Sequence, residues 1–319
     1  MAQPISNLAV GAVVKSLDTT YNGAVIRFKI GHISGGRVKL CTERIITLKC
    51  FDAKEASNPN SGRAAGGNNM YSVSNIDQWL NSLAGAGAWY SARHTYDAPP
   101  NNANVYSNYN EYDAEAGFLS HFETAFRDAI QDTTIRVVRN TVTDGGSYED
   151  ITRKVYLLSR TEVGQANENG IAEGSKWDLF SDNNSRLAMP TAEAVSASEY
   201  TDAALSSSQN WQYWLRTPIS SSSSVQRYAI PAGGGSSDAY YGYQGIRPAL
   251  ELLSSALVSD AADTDGAYIL QFATNPLANM KVKIGGAWKD CESGAVNIGG
   301  VWKSIESIHT KIDGVWKTV

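Results

Sequence analysis

Two short apolar segments, each carrying one arginine, constrain this chain more than any other feature. Tyr213-Trp214-Leu215-Arg216-Thr217-Pro218 is answered further along by Gly245-Ile246-Arg247-Pro248-Ala249-Leu250. Their aromatic and branched residues favour strands and burial. The stretch between them is made almost wholly of Ser, Gly, Ala, Tyr and Asp. Such material combines adaptable hydrogen bonding with stiff aromatic contact area, as antibody-like binding surfaces do. The pattern reads as a rigid scaffold presenting a binding surface rather than as an enzyme.

The chain has 319 residues, 42% of them hydrophobic, enough for one large domain and a small one or for two of medium size. Only 18% are charged, below the roughly 25% of average globular domains. The polar surface therefore falls to Ser, Asn, Thr and Gly. A net charge of −5 with no basic stripe argues against a nucleic-acid partner. No apolar run approaches the ~18 residues of a membrane span, so no membrane insertion is expected. The opening Met1-Ala2-Gln3-Pro4 lacks the basic and apolar regions of a secretory leader, so cytoplasmic synthesis is expected.

Residues 8–51 read as strands, at 10–17, 24–33 and 38–50, punctuated by Asn22-Gly23 and Gly35-Gly36. A short helix is expected from Ser74, with Asp77 near a capping-box position and Ile76, Trp79, Leu80 and Leu83 as its apolar stripe. A second helix over 114–131 would bury Phe118, Leu119, Phe122, Phe126 and Ile130. Segments 135–142 and 151–158, around Asp144-Gly145-Gly146, predict a β-hairpin, and 191–195 a helical turn. Two helices, strands at both ends and long irregular loops predict an α+β domain over 1–253. Residues 254–278 read as a linker.

The chain then changes character. Ile284-Gly285-Gly286-Ala287-Trp288-Lys289 recurs as Ile298-Gly299-Gly300-Val301-Trp302-Lys303 and Ile312-Asp313-Gly314-Val315-Trp316-Lys317, with tryptophans 14 residues apart. Residues 279–319 therefore predict a small all-β module of three hairpins with two-residue turns. Units this small are marginal alone and are expected to stack on one another, on the main domain or on other copies.

Chemistry-bearing motifs are sparse. The four histidines, His32, His94, His121 and His309, are scattered, with no metal-ligand spacing. Cys41, Cys50 and Cys291 match no zinc or redox pattern, and Cys41 and Cys50 read as buried thiols. No Gly-x-Ser-x-Gly nucleophile elbow occurs, and no cofactor or metal is expected. Arg216 and Arg247 read as structural guanidiniums pinning loops. Strand alternation sets Trp214 in the core and leaves Tyr213 partly exposed. Tyr228, Tyr240, Tyr241 and Tyr243 stand among Gly and Ser without apolar periodicity, which suits exposed recognition. Ser220, Ser221, Ser222, Ser223 and Ser224 read as either a flexible loop or a polar contact surface. Asn210, Arg227, Ser236 and Asp238 complete the candidate ligand-binding set, which contains no catalytic residue.

The two arginine-bearing segments resemble the C-type-lectin fold, in the branch shared with formylglycine-generating enzymes and phage variable proteins. More closely, the chain resembles a domain of phage and prophage tail proteins with a Trp-Leu-Arg-(Ser/Thr)-Pro element followed by Gly-(Ile/Val)-Arg-Pro-Ala-Leu. Leu48-Lys49-Cys50-Phe51-Asp52, the 71–81 segment, Leu157-Leu158-Ser159 and Thr161-Glu162-Val163-Gly164 fit the same resemblance, which covers 8–252. It implies a C-type-lectin-like domain in a virion, binding a bacterial surface glycan or protein beside other tail proteins, with the terminal repeats attaching it or forming a homotrimer. Some relatives are hypervariable targets of diversity-generating retroelements, and 219–243 has the composition such mutagenesis leaves. Formylglycine-generating activity is not implied, because no cysteine lies between Cys50 and Cys291. Calcium-mediated sugar binding is not implied either, because the Glu-Pro-Asn and Trp-Asn-Asp motifs are missing. The alternative is a structural tail or baseplate protein whose domain only mediates assembly.

Overall fold

In the computed structural model, residues 2–230 and 234–272 are described in full, followed by the backbone of six short strands between Lys281 and Thr318. Met1–Gln271 forms one compact unit and Phe272–Val319 a second.

Turn chemistry starts the first sheet. Asn22 and Gly23 both have positive φ, 49° and 82°, as do Gly35 and Gly36, 57° and 75°. Two successive left-handed residues make the hairpin turn whose twist matches its strands. Val13–Tyr21, Ala24–Ser34 and Arg37–Thr42 therefore run antiparallel as neighbours. Beyond Arg37–Thr42 lie Pro248–Leu253 and then Val155–Leu157. Beyond Val13–Tyr21 lie Ala267–Gln271, Leu257–Ser259 and Ala2–Pro4. The result is a mixed eight-stranded sheet. The segment read as a linker thus carries two strands of the main sheet up to residue 271.

A second sheet has five strands in the order Gly235–Asp238, Val225–Ala229, Tyr213–Pro218, Gly245–Ile246, Thr47–Leu48. The chain passes between the sheets within one residue. Ile246 pairs with Thr47, Pro248 pairs with Leu157, and Arg247 lies between them. Its guanidinium, 2% exposed, donates to the Thr42 carbonyl at 3.0 Å and to the Tyr213 hydroxyl at 3.2 Å. Arg216 is buried too. It donates to Glu162 at 2.6 Å and to the carbonyls of Leu157, Glu173 and Arg136. Both arginines are structural, as their place in the sequence implies.

The expected α+β, C-type-lectin-like class with two helices is corrected to a mostly β protein. Among the described residues α-helix is confined to Ser61–Gly66, Asn75–Leu80, Thr124–Ala129 and Ala192–Ser196, each of five or six residues. The expected 114–131 helix is a 3-10 turn, Phe118–His121, then the α-helical Thr124–Ala129, with Phe122 and Glu123 extended between them. The apolar spacing still works, since Phe118, Leu119, Phe122, Phe126 and Ile130 are all buried. The backbone breaks where tertiary partners compete with the helix. The N–H of Glu123 donates to Thr19 Oγ1 at 3.3 Å, and the Glu123 carboxylate accepts from the Ser16 hydroxyl.

The helix expected from Ser74 does form, with Ser74 Oγ accepting from the N–H of Asp77. It stops at Leu80, leaving Leu83 55% exposed. The Asp77 carboxylate does not complete a capping box but receives Arg153 and Arg93. The hairpin pairs Thr133–Val138 with Tyr148–Arg153, starting and ending earlier than its sequence pattern suggests. Asn140 ends its first strand by accepting the N–H groups of Val142 and Thr143, an Asx turn. Thr191 caps Ala192–Ser196 through the N–H of Ala194.

In the second unit, Lys281–Ile284 pairs with Ala287–Asp290, Ala295–Ile298 with Val301–Ser304, and His309–Ile312 with Val315–Thr318. Ile284 faces Ala287, Ile298 faces Val301 and Ile312 faces Val315, the spacing a two-residue turn requires. The Gly-Gly and Asp-Gly pairs, and Cys291, lie outside the described residues.

Arg216 pairs with the buried Glu162 carboxylate in the seam between sheets, and its charge also acts on the buried Glu173 carboxyl. Burial pushes the Glu173 carboxyl up, and the Arg216 charge pulls it back. Removing the cation leaves the Glu162 carboxylate buried without its counter-charge, so Arg216→Met should lower unfolding free energy by about 3–5 kcal/mol in urea titrations. Arg216→Lys should recover little of it, since an ammonium cannot span the forked set of acceptors.

Candidate functional site

The candidate residues do not form one surface. Tyr213 is 1% exposed, which corrects the expectation of partial exposure. Its hydroxyl donates to the Arg186 carbonyl at 3.0 Å and receives Arg247. Trp214 is core as expected, its indole N–H donating to the Lys49 carbonyl at 3.0 Å. Tyr228 packs edge-on against Trp214, 6.2 Å between centroids. Across the strand pair Tyr228 faces Gly235, where a Cβ would overlap its ring. Arg227 is held at 2.7 Å by Glu168, which also pairs with Arg160. Asn210 and Ser236 are exposed.

The serine run is anchored rather than loose. Ser223 and Ser224 are buried, donating to Asn60 Oδ1 at 2.7 Å and to Asp238 Oδ1 at 3.1 Å. The side-chain amide of Asn69 donates to the carbonyls of Ser222 and Val225. Thr141 holds the Ser220 carbonyl with both its N–H and its hydroxyl. Ser222 Oγ accepts from the N–H groups of Ser224 and Val225. Within the run only Ser221 is exposed.

Tyr240, Tyr241 and Tyr243 converge with three residues that the sequence pattern did not single out, Tyr106, Tyr109 and Tyr200. Tyr240 stacks on Tyr241 at 5.0 Å, Tyr241 on Tyr243 at 5.2 Å, and Tyr243 on Tyr200 at 4.7 Å. Tyr106 lies edge-on along this column, 5.6 Å from Tyr240 and 4.5 Å from Tyr241. Tyr109 meets Tyr200 edge-on at 5.2 Å, and Trp211 closes the far end at 6.3 Å. Stacked and edge-to-face pairs each contribute ~0.5–1.5 kcal/mol beyond area burial. All these rings keep part of their surface in solvent, with Tyr106 the most exposed at 37%.

Three chain segments build the column, and the backbone explains why they meet. Ser107, Asn108 and Asn110 have φ of 49°, 62° and 59°, so the chain coils tightly and presents Tyr106 and Tyr109. Asparagine tolerates that conformation better than other side-chain-bearing residues. The Asn110 side chain donates to the Gly242 carbonyl at 2.8 Å and accepts from the N–H of Glu199 at 2.9 Å. Its own N–H donates to Glu199 Oε2 at 3.0 Å. A Cβ on Gly242 would overlap the Tyr109 carbonyl oxygen. The signal available in the sequence was the Asn- and Tyr-rich character of 106–110, not any period.

Burial pushes the hydroxyls of Tyr240 and Tyr200 above the ordinary tyrosine value, and the negative charges of Asp238 and Asp202 push them further. Beside Tyr200 opens a cleft of about 380 Å³ lined by Val195, Ser198, Tyr200, Thr201, Asp202, Ala203 and Leu205. Among the described residues no group of three His, Cys, Asp or Glu side chains could hold a metal. Cys41 and Cys50 are free and buried, as expected. No helix among the described residues is long and apolar enough to cross a membrane.

Residues 35–254 match a family described as a domain of unknown function, DUF6273. The chain belongs to this family. The match spans both arginine-bearing segments and every segment of the tyrosine face. No curated protein and no solved structure matches the chain.

The Asn110–Gly242 junction is the point at which the face can be broken without touching a ring. Gly242→Ala should displace the 106–110 coil and weaken the near-ultraviolet tyrosine dichroism, with far-ultraviolet dichroism unchanged. Gly85→Ala, where a Cβ meets nothing within 4 Å, should leave both signals intact. Asn110→Ala should cost about 1–3 kcal/mol in denaturant titrations, because it strands buried polar partners.

Proposed function

We propose that this protein is a receptor-binding component of a phage or prophage tail that recognises a bacterial surface ligand without catalysis. The solvent-facing column of Tyr240, Tyr241, Tyr243 and Tyr200, with Tyr106 and Tyr109 beside it, carries the reading. Rings with two χ angles each offer large contact area at low entropic cost, and their hydroxyl tips add directional bonds. The Trp-Leu-Arg-Thr-Pro and Gly-Ile-Arg-Pro-Ala-Leu elements, similar to those of tail proteins, support the particle context.

The anchored serine run and the buried Tyr213 are scaffold in this reading. Recognition moves to the tyrosines, with Asn210, Ser221, Ser236 and Asp238 as candidate rim contacts. The Trp-containing hairpins would join the chain to other tail proteins or assemble it as a homotrimer. Several weak sites on one particle then give high avidity.

The experiment compares wild type with Tyr240→Ala/Tyr241→Ala/Tyr243→Ala for binding to intact cells across a panel of bacterial strains. The variant should lose binding to every strain the wild type labels, while still unfolding in one cooperative transition. Equal labelling by both proteins would move recognition off this face. A variant that labels cells normally but fails to enter particles would favour the assembly role.

A further inference from the structure

Resting on the reading of the tyrosine face as a ligand surface, we propose that the cleft at its Tyr200 end takes an alkylammonium group, with the Tyr200 ring as platform and Asp202 as counter-charge. Charge around the face is the first argument. Glu111, Glu199, Asp202 and Asp238 surround it, and among the described residues none of the four joins an ion pair. Two buried carboxylates elsewhere, Asp77 and Glu162, are each met by arginine. Asp202 has partners, but neutral ones. Oδ1 accepts from the N–H of Ala204 at 2.8 Å, and Oδ2 accepts from the Tyr200 hydroxyl at 3.3 Å. Its negative charge therefore remains unanswered.

The rings are the second argument. Lys49, Arg136, Arg216 and Arg247 form the cation–ring contacts of the described residues, over Trp79, Tyr112, Tyr148, Tyr156, Phe180 and Tyr213. None of those rings belongs to the column, so the face has no internal cation. Tyr243 stacks on Tyr200, Tyr109 meets it edge-on, and Tyr200 is among the residues that line the cleft. Val195, Ala203 and Leu205 supply apolar wall for N-methyl or methylene groups. A cation over a tyrosine face gains the quadrupole attraction that a neutral group of the same shape lacks. Burial does most to hold the Tyr200 and Tyr240 protons; the charges of Asp202 and Asp238 add to that, and the field of the same charges attracts a cation. A neutral sugar would leave that field unused, and a bare phosphate would oppose it.

The test titrates the full-length protein calorimetrically with choline and with its uncharged isostere 3,3-dimethylbutan-1-ol. Choline should bind about tenfold more tightly than the isostere, the size of one cation–ring and carboxylate contribution. Asp202→Asn should erase most of that difference with little effect on the isostere, and Tyr200→Leu should weaken both. Thermal melts of each variant check that the fold is retained, and choline-dependent protection of Tyr200 ring resonances in wild type gives a readout independent of the variants. Equal affinity for choline and isostere, or no binding of either, overturns the proposal. The same choline is then used to compete with cell labelling. Labelling that depends on the tyrosines but ignores choline, with no calorimetric binding, overturns the ammonium inference and leaves the receptor reading standing. Calorimetric binding of choline with labelling indifferent to the tyrosines overturns the receptor reading and leaves the ammonium site standing.

Discussion

A guanidinium that is 1% exposed to water must find its partners inside the protein, and Arg216 finds them on four other parts of the chain. It sits in the middle strand of the five-stranded sheet and reaches Leu157 at the edge of the eight-stranded one. The same side chain meets Glu162, the Glu173 carbonyl and the Arg136 carbonyl. Arg247 performs the companion task at the residue where the chain changes sheets. Neither charge could sit there unsatisfied, since a buried ion without partners costs several kcal/mol; Arg216 has Glu162, and Arg247 has a carbonyl and a hydroxyl. The packing of the sheets and the satisfaction of these two cations are therefore one condition. Loops far from the seam inherit their positions from it.

The tyrosine face is such an inheritance. Its column is not a strand face with a period of two residues. It is a meeting of three irregular segments whose backbones are clipped together by Asn110 and fitted closely at Gly242. The anchored 220–224 run sits beside the same sheet without joining the column. The rings are consequently presented by a frame pinned at Asn110 and Gly242, which would keep the entropic loss small for the ligand proposed there.

Legibility in the sequence followed the physics of each element. Turns declared themselves, because Asn22-Gly23 and Gly35-Gly36 can supply paired positive φ at little steric cost. Ser74 and Thr191 announced helix starts through local side-chain bonds. The arginines were readable as structural because charge embedded in apolar strands has few other uses. What failed was length and class. The 114–131 pattern spaces its aromatics like a helix, but Thr19 and Ser16 contact Glu123 from another element, and no local signal encodes that competition. The strands of 257–271 were missed because their pairing partners lie near the other end of the chain. Half of the tyrosine face was missed for the same reason. Tyr106, Tyr109 and Tyr200 join Tyr240, Tyr241 and Tyr243 only in three dimensions, while Tyr213, chosen by alternation, is claimed by Arg247.

The strand order has a consequence for how the protein must be made. Ala249 pairs with Cys41, Ala267 with Val13, and Leu257 with Pro4. The first three long strands thus leave the ribosome with an unfilled edge on either side, and their partners follow only after most of the unit has been translated. Until residue 253 emerges for Arg37–Thr42, and residue 271 for Val13–Tyr21, these strands remain half-paired edges of the kind that invite association between nascent chains. Vectorial synthesis therefore gives this unit little structure to accumulate on the way. Its folding waits for its last strands and closes late, from both ends of the sheet at once.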